Sequence, residues 1–417
     1  PRSLTPARPR RLWLRPAAAA IPIYLAACAV PDGGLFRAER FRDVHLYQGF
    51  ADAAFDGRVP YRDFFMEYPP GALVVFLPPA AFGSHYNAAF KCLMALCGAA
   101  TLVLVAFLLV RLGVSTSRLW AAVVLFALSP LALGPISLNT YDAWPALLAL
   151  VALALLLTGR DVAAFALLGA AFAAKVYPVV LVLPAAIFVW RTRGRGLALR
   201  AIGAFAAVVA LFVMPFLVTA PRGLAESFRA QAARSLQVES LGGSLLAAAD
   251  RLGLYSATVV HRTGHAISYD LVGSLPEALD VLSSIAQALA VVVVAWLYVR
   301  GRDDPRRLAV ALPAAIAGFL AFTRFFSPQY LVWLVPFVLL LEPAAWVLAA
   351  AALVLAQVWF FHYSDVFTLG EYVWLVLIRD LLVLALFALA LVTLRRPAPE
   401  DEDPVLLEHE LPLRASS

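Results

Sequence analysis

Long apolar runs recur along the whole chain, and they constrain the fold more than any other feature. A helix needs about 20 mostly apolar residues to cross a bilayer, and a membrane β-barrel would show short alternating segments instead. Only 14% of residues are charged and 63% are hydrophobic, whereas soluble proteins carry charge on about a quarter of positions. The sequence predicts an all-α polytopic membrane protein with about twelve transmembrane helices. The predicted spans are 12–30, 88–110, 119–136, 143–158, 161–174, 176–190, 197–219, 277–299, 308–323, 330–341, 344–361 and 372–394.

Arginines cluster before the first apolar run and in three short loops, and cytoplasmic loops are enriched in Lys and Arg. This bias predicts that both termini are cytoplasmic and that the two long hydrophilic stretches, 32–68 and 221–274, are extracytoplasmic. We expect one membrane domain over 1–396, with external loops at 32–87 and 220–275, and a disordered cytoplasmic tail at 397–417. The loop arginines also explain much of the net charge of +6, so nucleic acid is not an expected partner. The clusters are Arg8, Arg10, Arg11 and Arg15, then Arg111 and Arg118, then Arg191, Arg193 and Arg195, then Arg300, Arg302, Arg306 and Arg307.

The first external loop carries acidic and aromatic residues in a helical pattern. At 100° per residue, Asp43, Tyr47 and Phe50 share one face, whereas Asp52 points roughly the other way. A carboxylate beside aromatic rings suits a sugar, because the rings pack on its apolar face and the carboxylate accepts a hydroxyl proton. Asp43 is also a favoured residue at a helix start, so a structural cap is an equally weighted alternative.

Downstream, two prolines predict the start of another helix. Proline is tolerated in the first helical turn and keeps the preceding residue extended, so Glu67 and Tyr68 should lie just outside the helix. The helix predicted over 71–82 is too short to span comfortably, and we expect it to be re-entrant or interfacial. Glu67 is at least as well explained by the dipole of this helix as by a direct role in the site.

Lys175 is one of two lysines in the chain, and it lies where the apolar run 161–190 is interrupted by Tyr177 and Pro178. A broken membrane helix usually lines a cavity, because its free backbone groups need partners other than lipid. A charge there is by default a functional hypothesis, with snorkelling to the surface as the alternative. Arg324 and His45 are further candidates for binding a phosphate. In the second loop, an amphipathic surface helix is expected over 225–238.

The chain combines these residues with further motifs in a fixed order: Asp43-x-x-x-Tyr47, Gly57 to Tyr61, Glu67 to Gly71, Lys175-Val-Tyr177-Pro178, Leu236 to Leu241, and Phe326 to Trp333. Taken together, they resemble the GT-C glycosyltransferases, and most closely glycosyltransferase family 87, the polyprenol-phosphate-mannose-dependent mannosyltransferases. The resemblance implies transfer of one sugar from a lipid-linked monophosphate donor to an acceptor, with inversion and with no metal or other cofactor. It places the catalytic aspartate at Asp43.

One departure from the resemblance concerns the acidic pair that many GT-C enzymes carry in the first loop. Here Val44 follows Asp43, so a second carboxylate must come from elsewhere, and Asp142 beside Tyr141 is the candidate. Tyr330 and Trp333 are expected to pack more than to bind, although Tyr330 is kept as a candidate. The predicted sugar or acceptor contacts are Tyr47, Glu67, Tyr68, Asp142, Glu239, Gln329 and Tyr330. The cysteines Cys28, Cys92 and Cys97 lack metal-ligand spacing, and no disulfide is expected.

A transporter or flippase of a lipid-linked sugar is the competing class. It predicts internal repeats and loops of similar size on both sides, whereas this chain shows no repeat and has its long loops on one side. The enzyme interpretation is therefore preferred. The expected partners are the polyprenyl-phosphate donor, a lipid or glycan acceptor and membrane lipids, with the chain acting as a monomer at the cell membrane. The sequence does not decide whether the transferred sugar is mannose or arabinose, or which of several envelope lipids or glycans is the acceptor.

Overall fold

The helices lie where the apolar runs lie. The computed structural model describes residues 11–31, 43–262 and 268–396, and every predicted span contains a helix. The first nine are α1 Leu14–Val30, α2 Asp43–Phe55, α3 Leu73–Phe76, α4 Tyr86–Arg111, α5 Thr116–Leu133, α6 Ile136–Asn139, α7 Ala143–Leu157, α8 Asp161–Ala174 and α9 Val179–Arg193. The rest are α10 Arg195–Thr219, α11 Pro221–Ala232, α12 Leu241–Arg251, α13 Ser274–Arg300, α14 Pro305–Ala321, α15 Leu331–Val338, α16 Pro343–Phe360, α17 Tyr363–Phe367 and α18 Val373–Arg395.

Within the described residues, six helical segments are long and apolar enough to cross a membrane. They are Pro78–Arg111, Thr116–Leu133, Arg195–Thr219, Ser274–Arg300, Pro343–Phe360 and Val373–Arg395. Four shorter apolar helical segments accompany them: Leu14–Val30, Ala143–Leu157, Asp161–Ala174 and Pro328–Val338. The protein is therefore a mostly helical membrane protein, while the count of twelve crossings and the orientation of the termini stay predictions. The tail 397–417 lies outside the described residues.

The break predicted in the run 161–190 is confirmed. Helix α8 ends at Ala174, α9 begins at Val179, and Lys175 between them has an extended backbone with φ −156° and ψ 142°. Pro178 immediately precedes α9, where its missing N–H costs no helical hydrogen bond. The interruption covers residues 175–178, and α8 packs against both α7 and α10.

The single helix predicted over 71–82 is wrong. The segment forms three short pieces: a 3₁₀ helix Pro70–Ala72, then α3, then a 3₁₀ helix Pro78–His85. Pro78 and Pro79 interrupt α-helical hydrogen bonding, and Gly83 has a φ of +55° that ends the regular geometry. The first piece lies tightly against the end of α8, since a Cβ at Gly71 would approach the Ala173 carbonyl carbon to 2.6 Å.

The second external loop corrects two further predictions. Its amphipathic helix is α11, which ends at Ala232 and not at residue 238. The loop also contains an antiparallel hairpin of β1 Thr258–Arg262 and β2 Ser268–Val272, so the fold is not purely α-helical. Residues 236–238 are extended because they pair with β2: the Leu271 N–H donates to the Leu236 carbonyl at 2.9 Å.

Two apolar cores result from this arrangement. The large one is formed between the long helices and includes the buried aromatic residues Tyr47, Phe50, Tyr61 and Phe76 of the first external loop. The smaller one joins the second loop to the end of α16, to α17 and to the start of α18, and its buried residues include Leu236, Leu271 and Trp359. The segment 236–240 links the two cores, because the Gln237 N–H donates to the Arg324 carbonyl at 2.9 Å.

Candidate active site

Asp43 begins α2 and lies beside a wall of aromatic rings. Its carboxylate is half-buried and accepts a 3.5 Å hydrogen bond from the Tyr47 hydroxyl. Tyr47 is fully buried, stacks on Phe76 at 4.3 Å and meets the edges of Tyr68 and Tyr141, each at 5.6 Å. The helical phase predicted for this face is confirmed, whereas Asp52 and Asp56 are exposed. A helix start also favours a carboxylate, so the capping explanation and the site explanation are compatible.

The broken end of α8 meets the start of α7 beside this wall. The Tyr141 hydroxyl donates to the Ala174 carbonyl at 3.2 Å, and the Lys175 ammonium pairs with the carboxylate of Asp142. Asp142 has no exposed surface, while the Lys175 side chain is 12% exposed. The indole N–H of Trp333 donates to the same Asp142 oxygen. The predicted cation at the helix break is therefore held inside the protein, and the snorkelling alternative is wrong.

Burial and neighbouring charges make Asp43 unusually basic. Burial raises the pKa of Asp43 to about 7, with further upward contributions from Glu67 and then Asp142. The Lys175 ammonium and the Tyr47 hydrogen bond act in the opposite direction. These influences show that four charged side chains from distant parts of the sequence share one region. A carboxyl group with a pKa near 7 suits general base catalysis at neutral pH.

Glu67 precedes Tyr68 of the aromatic wall and is paired with a residue of the second loop. Its carboxylate contacts the Arg234 guanidinium at 3.3 Å, and its carbonyl accepts a 3.2 Å bond from Gln231. Burial raises the pKa of Glu67 despite the opposing charge of Arg234. The helix that follows Glu67 has only three residues, too few for a sizeable dipole. The ion pair with Arg234, and not a helix dipole, therefore accounts for the placement of the Glu67 carboxylate.

Glu239 follows residues 236–238, which pair with β2, and its backbone is bound by a residue of α18. Its carbonyl accepts a 2.7 Å bond from Arg379, and burial raises the pKa of its carboxyl to about 7 despite the nearby positive charges of Arg379 and Arg234. Arg379 is fully buried, lies 4.0 Å from the Phe326 ring and contacts the Asp380 carboxylate at 2.8 Å.

Sequence reasoning missed Arg379 and Asp380. The available signal was two adjacent charges inside a predicted span, which are rare and usually face the protein interior.

The other predicted site residues fall into two groups. Tyr330 stacks on Trp333 at 4.2 Å and lies 5.5 Å from the Lys175 ammonium, with Gln329 on the same 3₁₀ helix. Arg324 instead pairs with Asp280 at 3.3 Å and donates to the Ala232 carbonyl at 2.8 Å, so its guanidinium fastens the second loop.

His45 is exposed and lies two residues, or about 200°, around α2 from Asp43 and Tyr47. Across the part of the chain that the structure describes, His45 makes no hydrogen bond or ion pair with Asp43, Asp142 or Lys175. The structure thus does not bring His45 to the other site residues.

The fold and the site define a membrane protein with a partly buried carboxylate, walled by aromatic rings and near a lysine that is itself ion-paired. Over residues 11–31, 43–262 and 268–396, no three His, Cys, Asp or Glu side chains cluster as a metal site requires. A carboxylate, aromatic faces and a lysine ammonium together can accept a proton, pack a sugar ring and bind an anion.

A model of glycosyltransferase family 87 matches residues 65–328, and the chain therefore belongs to glycosyltransferase family 87. It is a membrane glycosyltransferase that acts on a sugar donor and an acceptor. No curated protein matches the chain significantly. The match includes Glu67, Asp142 and Lys175 but begins after Asp43 and ends before Trp333. The role of Asp43 therefore depends on the geometry and on the sequence resemblance.

Proposed function

We propose that the protein transfers one sugar, mannose, from a polyprenyl-phosphate donor to a lipid or glycan acceptor on the extracytoplasmic side of the membrane. Asp43 acts as the general base. The observation that carries this proposal is the raised pKa of Asp43 beside both an aromatic wall and a lysine. A general base works best when its pKa is close to the operating pH, because it is then both ionised and basic enough.

The proposed reaction is a single displacement. Asp43 takes the proton from an acceptor hydroxyl, the hydroxyl oxygen bonds to the anomeric carbon, and the bond from that carbon to the phosphate oxygen breaks. The electron pair leaves with the polyprenyl phosphate. One displacement at the anomeric carbon inverts its configuration. Because negative charge grows on the departing phosphate, a cation placed there in advance lowers the barrier.

The residues around Asp43 fit the parts of such a substrate. The rings of Tyr47, Tyr68 and Tyr141 offer apolar faces for a sugar, and Lys175 supplies positive charge for the phosphate. The carboxylates of Glu67 and Glu239 and the side chains of Gln329 and Tyr330 can accept or donate hydrogen bonds to hydroxyl groups.

Arg234, which lies 5.3 Å from the Phe325 ring and pairs with Glu67, replaces Arg324 as the second cation of the proposed site. The Arg324 guanidinium contacts Asp280 and the Ala232 carbonyl, neither of which belongs to the proposed site, whereas the partner of Arg234 is Glu67, which does.

The proposed side of the membrane follows from the arginine distribution and from the loops that carry the site. Asp43 and Glu67 lie in the first long hydrophilic stretch, and Arg234 and Glu239 lie in the second. Both stretches are assigned outside by the positive-inside rule. A lipid-linked donor reaches such a site from the bilayer, while its sugar and phosphate stay at the surface.

The test is transfer of radiolabelled mannose from polyprenyl-phosphate-mannose into membrane lipid or glycan. Asp43→Asn keeps the shape but removes the basic carboxylate, and we expect a loss of about 10²-fold or more in rate. Asp52→Asn is the matched control, since Asp52 is on the same helix but exposed. Equal transfer by wild type and Asp43→Asn at equal protein levels would refute the base assignment.

A second result would refute the enzyme class itself. If wild-type membranes transfer no sugar with several donors and acceptors, but move a lipid-linked sugar between leaflets, the protein is a flippase. Lipid analysis of a strain lacking the protein then identifies the accumulated donor or the missing product. The same comparison with an arabinose-linked donor decides between the two sugars.

A further inference from the structure

Lys175 is held by a chain of contacts that continues behind it. Its ammonium bonds to one oxygen of Asp142, and the indole N–H of Trp333 bonds to that same oxygen. The Trp333 ring is itself clamped, because Tyr177 stacks on it at 4.1 Å and Tyr330 stacks on it at 4.2 Å. The contacts thus run from a fixed ring, through a buried carboxylate, to a cation at the edge of the site.

Asp142 is poorly placed to bind a sugar directly. It has no exposed surface, and both of its described hydrogen-bond donors approach the same oxygen, Oδ1. Its other oxygen, Oδ2, is buried and has no hydrogen-bond partner among the described residues. A buried carboxylate without its cation is strongly destabilising, so Asp142 and Lys175 depend on each other.

Lys175, in contrast, is placed to reach a ligand. A lysine ammonium has three N–H donors, and one of them is used by Asp142. The ammonium lies 4.6 Å from the Tyr141 ring centre and 5.2 Å from that of Trp333, and cations are attracted to such ring faces. Its side chain is 12% exposed, which leaves a path for a ligand oxygen.

We propose that Asp142 is a positioning residue that holds the Lys175 ammonium for the donor phosphate, and that Trp333 in turn orients Asp142. This inference deepens the proposed function and rests on it. The role differs from the sugar contact that the sequence suggested for Asp142. In this arrangement the phosphate binds the remaining N–H groups of Lys175, and Asp142 keeps the ammonium from turning away when the site is empty.

The experiment measures binding without the unknown acceptor. The full chain is purified in detergent, and calorimetry compares farnesyl phosphate with farnesol, which lacks the phosphate. We expect wild type to bind farnesyl phosphate more tightly than farnesol. In Asp142→Asn the ratio of the two affinities should fall about tenfold, which corresponds to the loss of one charge-assisted hydrogen bond. Lys175→Met should remove the preference for the phosphate. Adding Asp142→Asn to Lys175→Met should then cause no further loss of affinity for farnesyl phosphate.

This non-additivity separates positioning from a general structural role. If Asp142→Asn binds farnesyl phosphate as wild type does, or costs the same with and without Lys175, the inference is wrong. It is equally wrong if wild type shows no preference for the phosphate. Sugar transfer by wild type is scored separately, so its failure overturns the proposed function and not the binding result.

Two tryptophan variants keep the test decisive if Asp142→Asn folds poorly in gel filtration. Trp333→Phe keeps the ring stack but removes the indole N–H, and we expect a smaller loss of phosphate preference in the same direction. Trp346→Phe is the matched control, because Trp346 is buried and donates to the Leu341 carbonyl at 2.9 Å. If both tryptophan variants bind equally, the link through Trp333 is refuted.

Discussion

The pH dependence of sugar transfer gives the sharpest test of Asp43 as the base. Its pKa is raised from 3.8 to about 7, first by burial and next by the charge of Glu67. A base must be ionised to act, so activity should rise as the pH rises through 7. At pH 6 about one tenth of Asp43 is ionised, at pH 7 about one half, and at pH 8 about nine tenths.

The perturbation is Glu67→Gln, which keeps the size of the side chain and removes its charge. Because Glu67 raises the pKa of Asp43, its neutralisation moves the midpoint of the profile to lower pH. The freed Arg234 adds positive charge nearby and acts in the same direction. The rate at pH 6, relative to the plateau at high pH, should then rise from about one tenth by about twofold or more.

The assay is the initial rate of radiolabelled mannose transfer at saturating donor, measured from pH 5 to 9 in membranes with equal protein levels. Asp52→Asn serves as the control, since Asp52 is exposed on the same helix and should leave the midpoint unchanged. A wild-type rate that is flat from pH 5.5 to 8 would refute the reasoning, because it would indicate an ordinary aspartate. A shift to higher pH in Glu67→Gln would also refute it.

Three further predictions concern stability, each measured as the midpoint of thermal unfolding of the purified protein. The pKa of Asp43 is raised in the folded state, so its ionisation lowers the stability of the fold as pH rises from about 4 to 7. Asp43→Asn should therefore have a higher unfolding midpoint than wild type at pH 8, but not at pH 4. Gly71→Ala should unfold earlier, since its Cβ would meet backbone atoms at 2.6 Å, whereas Gly49→Ala has open space and should gain up to about 1 kcal/mol. Arg379→Met should lower the free energy of unfolding by about 3–5 kcal/mol, because it leaves the buried Asp380 carboxylate without its cation. Adding Asp380→Asn should recover part of this loss. Equal stability of the single and double variants would contradict the pairing.

Local patterns predicted much of the helical framework. Apolar runs mark helices wherever a chain is solvated by lipid, because the backbone must satisfy its own hydrogen bonds there. The break at Lys175 was also readable, since Pro178 and a charge interrupt an apolar run. The same local reasoning failed at 71–82, where prolines and a glycine divide one expected helix into three. It also failed at the strands Thr258–Arg262 and Ser268–Val272, which are stabilised by each other and by residues 236–238.

The site shows the same division. Helical phase separated Asp43 from Asp52 without any tertiary information, because both lie on one helix. Charge and position alone predict Arg324 and His45 as phosphate ligands. The structure shows that Arg324 is paired with Asp280 and that His45 is exposed. A guanidinium near a loop end can reach several partners, and only packing decides among them.

The sequence by itself determined that this is a helical membrane protein, which of its first-loop carboxylates faces the aromatic residues, and where a membrane helix breaks. These properties depend on residues within one or two helical turns of each other. Only the tertiary structure decided that Asp142 pairs with Lys175, 33 residues away, and Glu67 with Arg234, 167 residues away. The reason is physical: burial makes each unpaired charge costly, so partners are set by which helix ends the packing brings together.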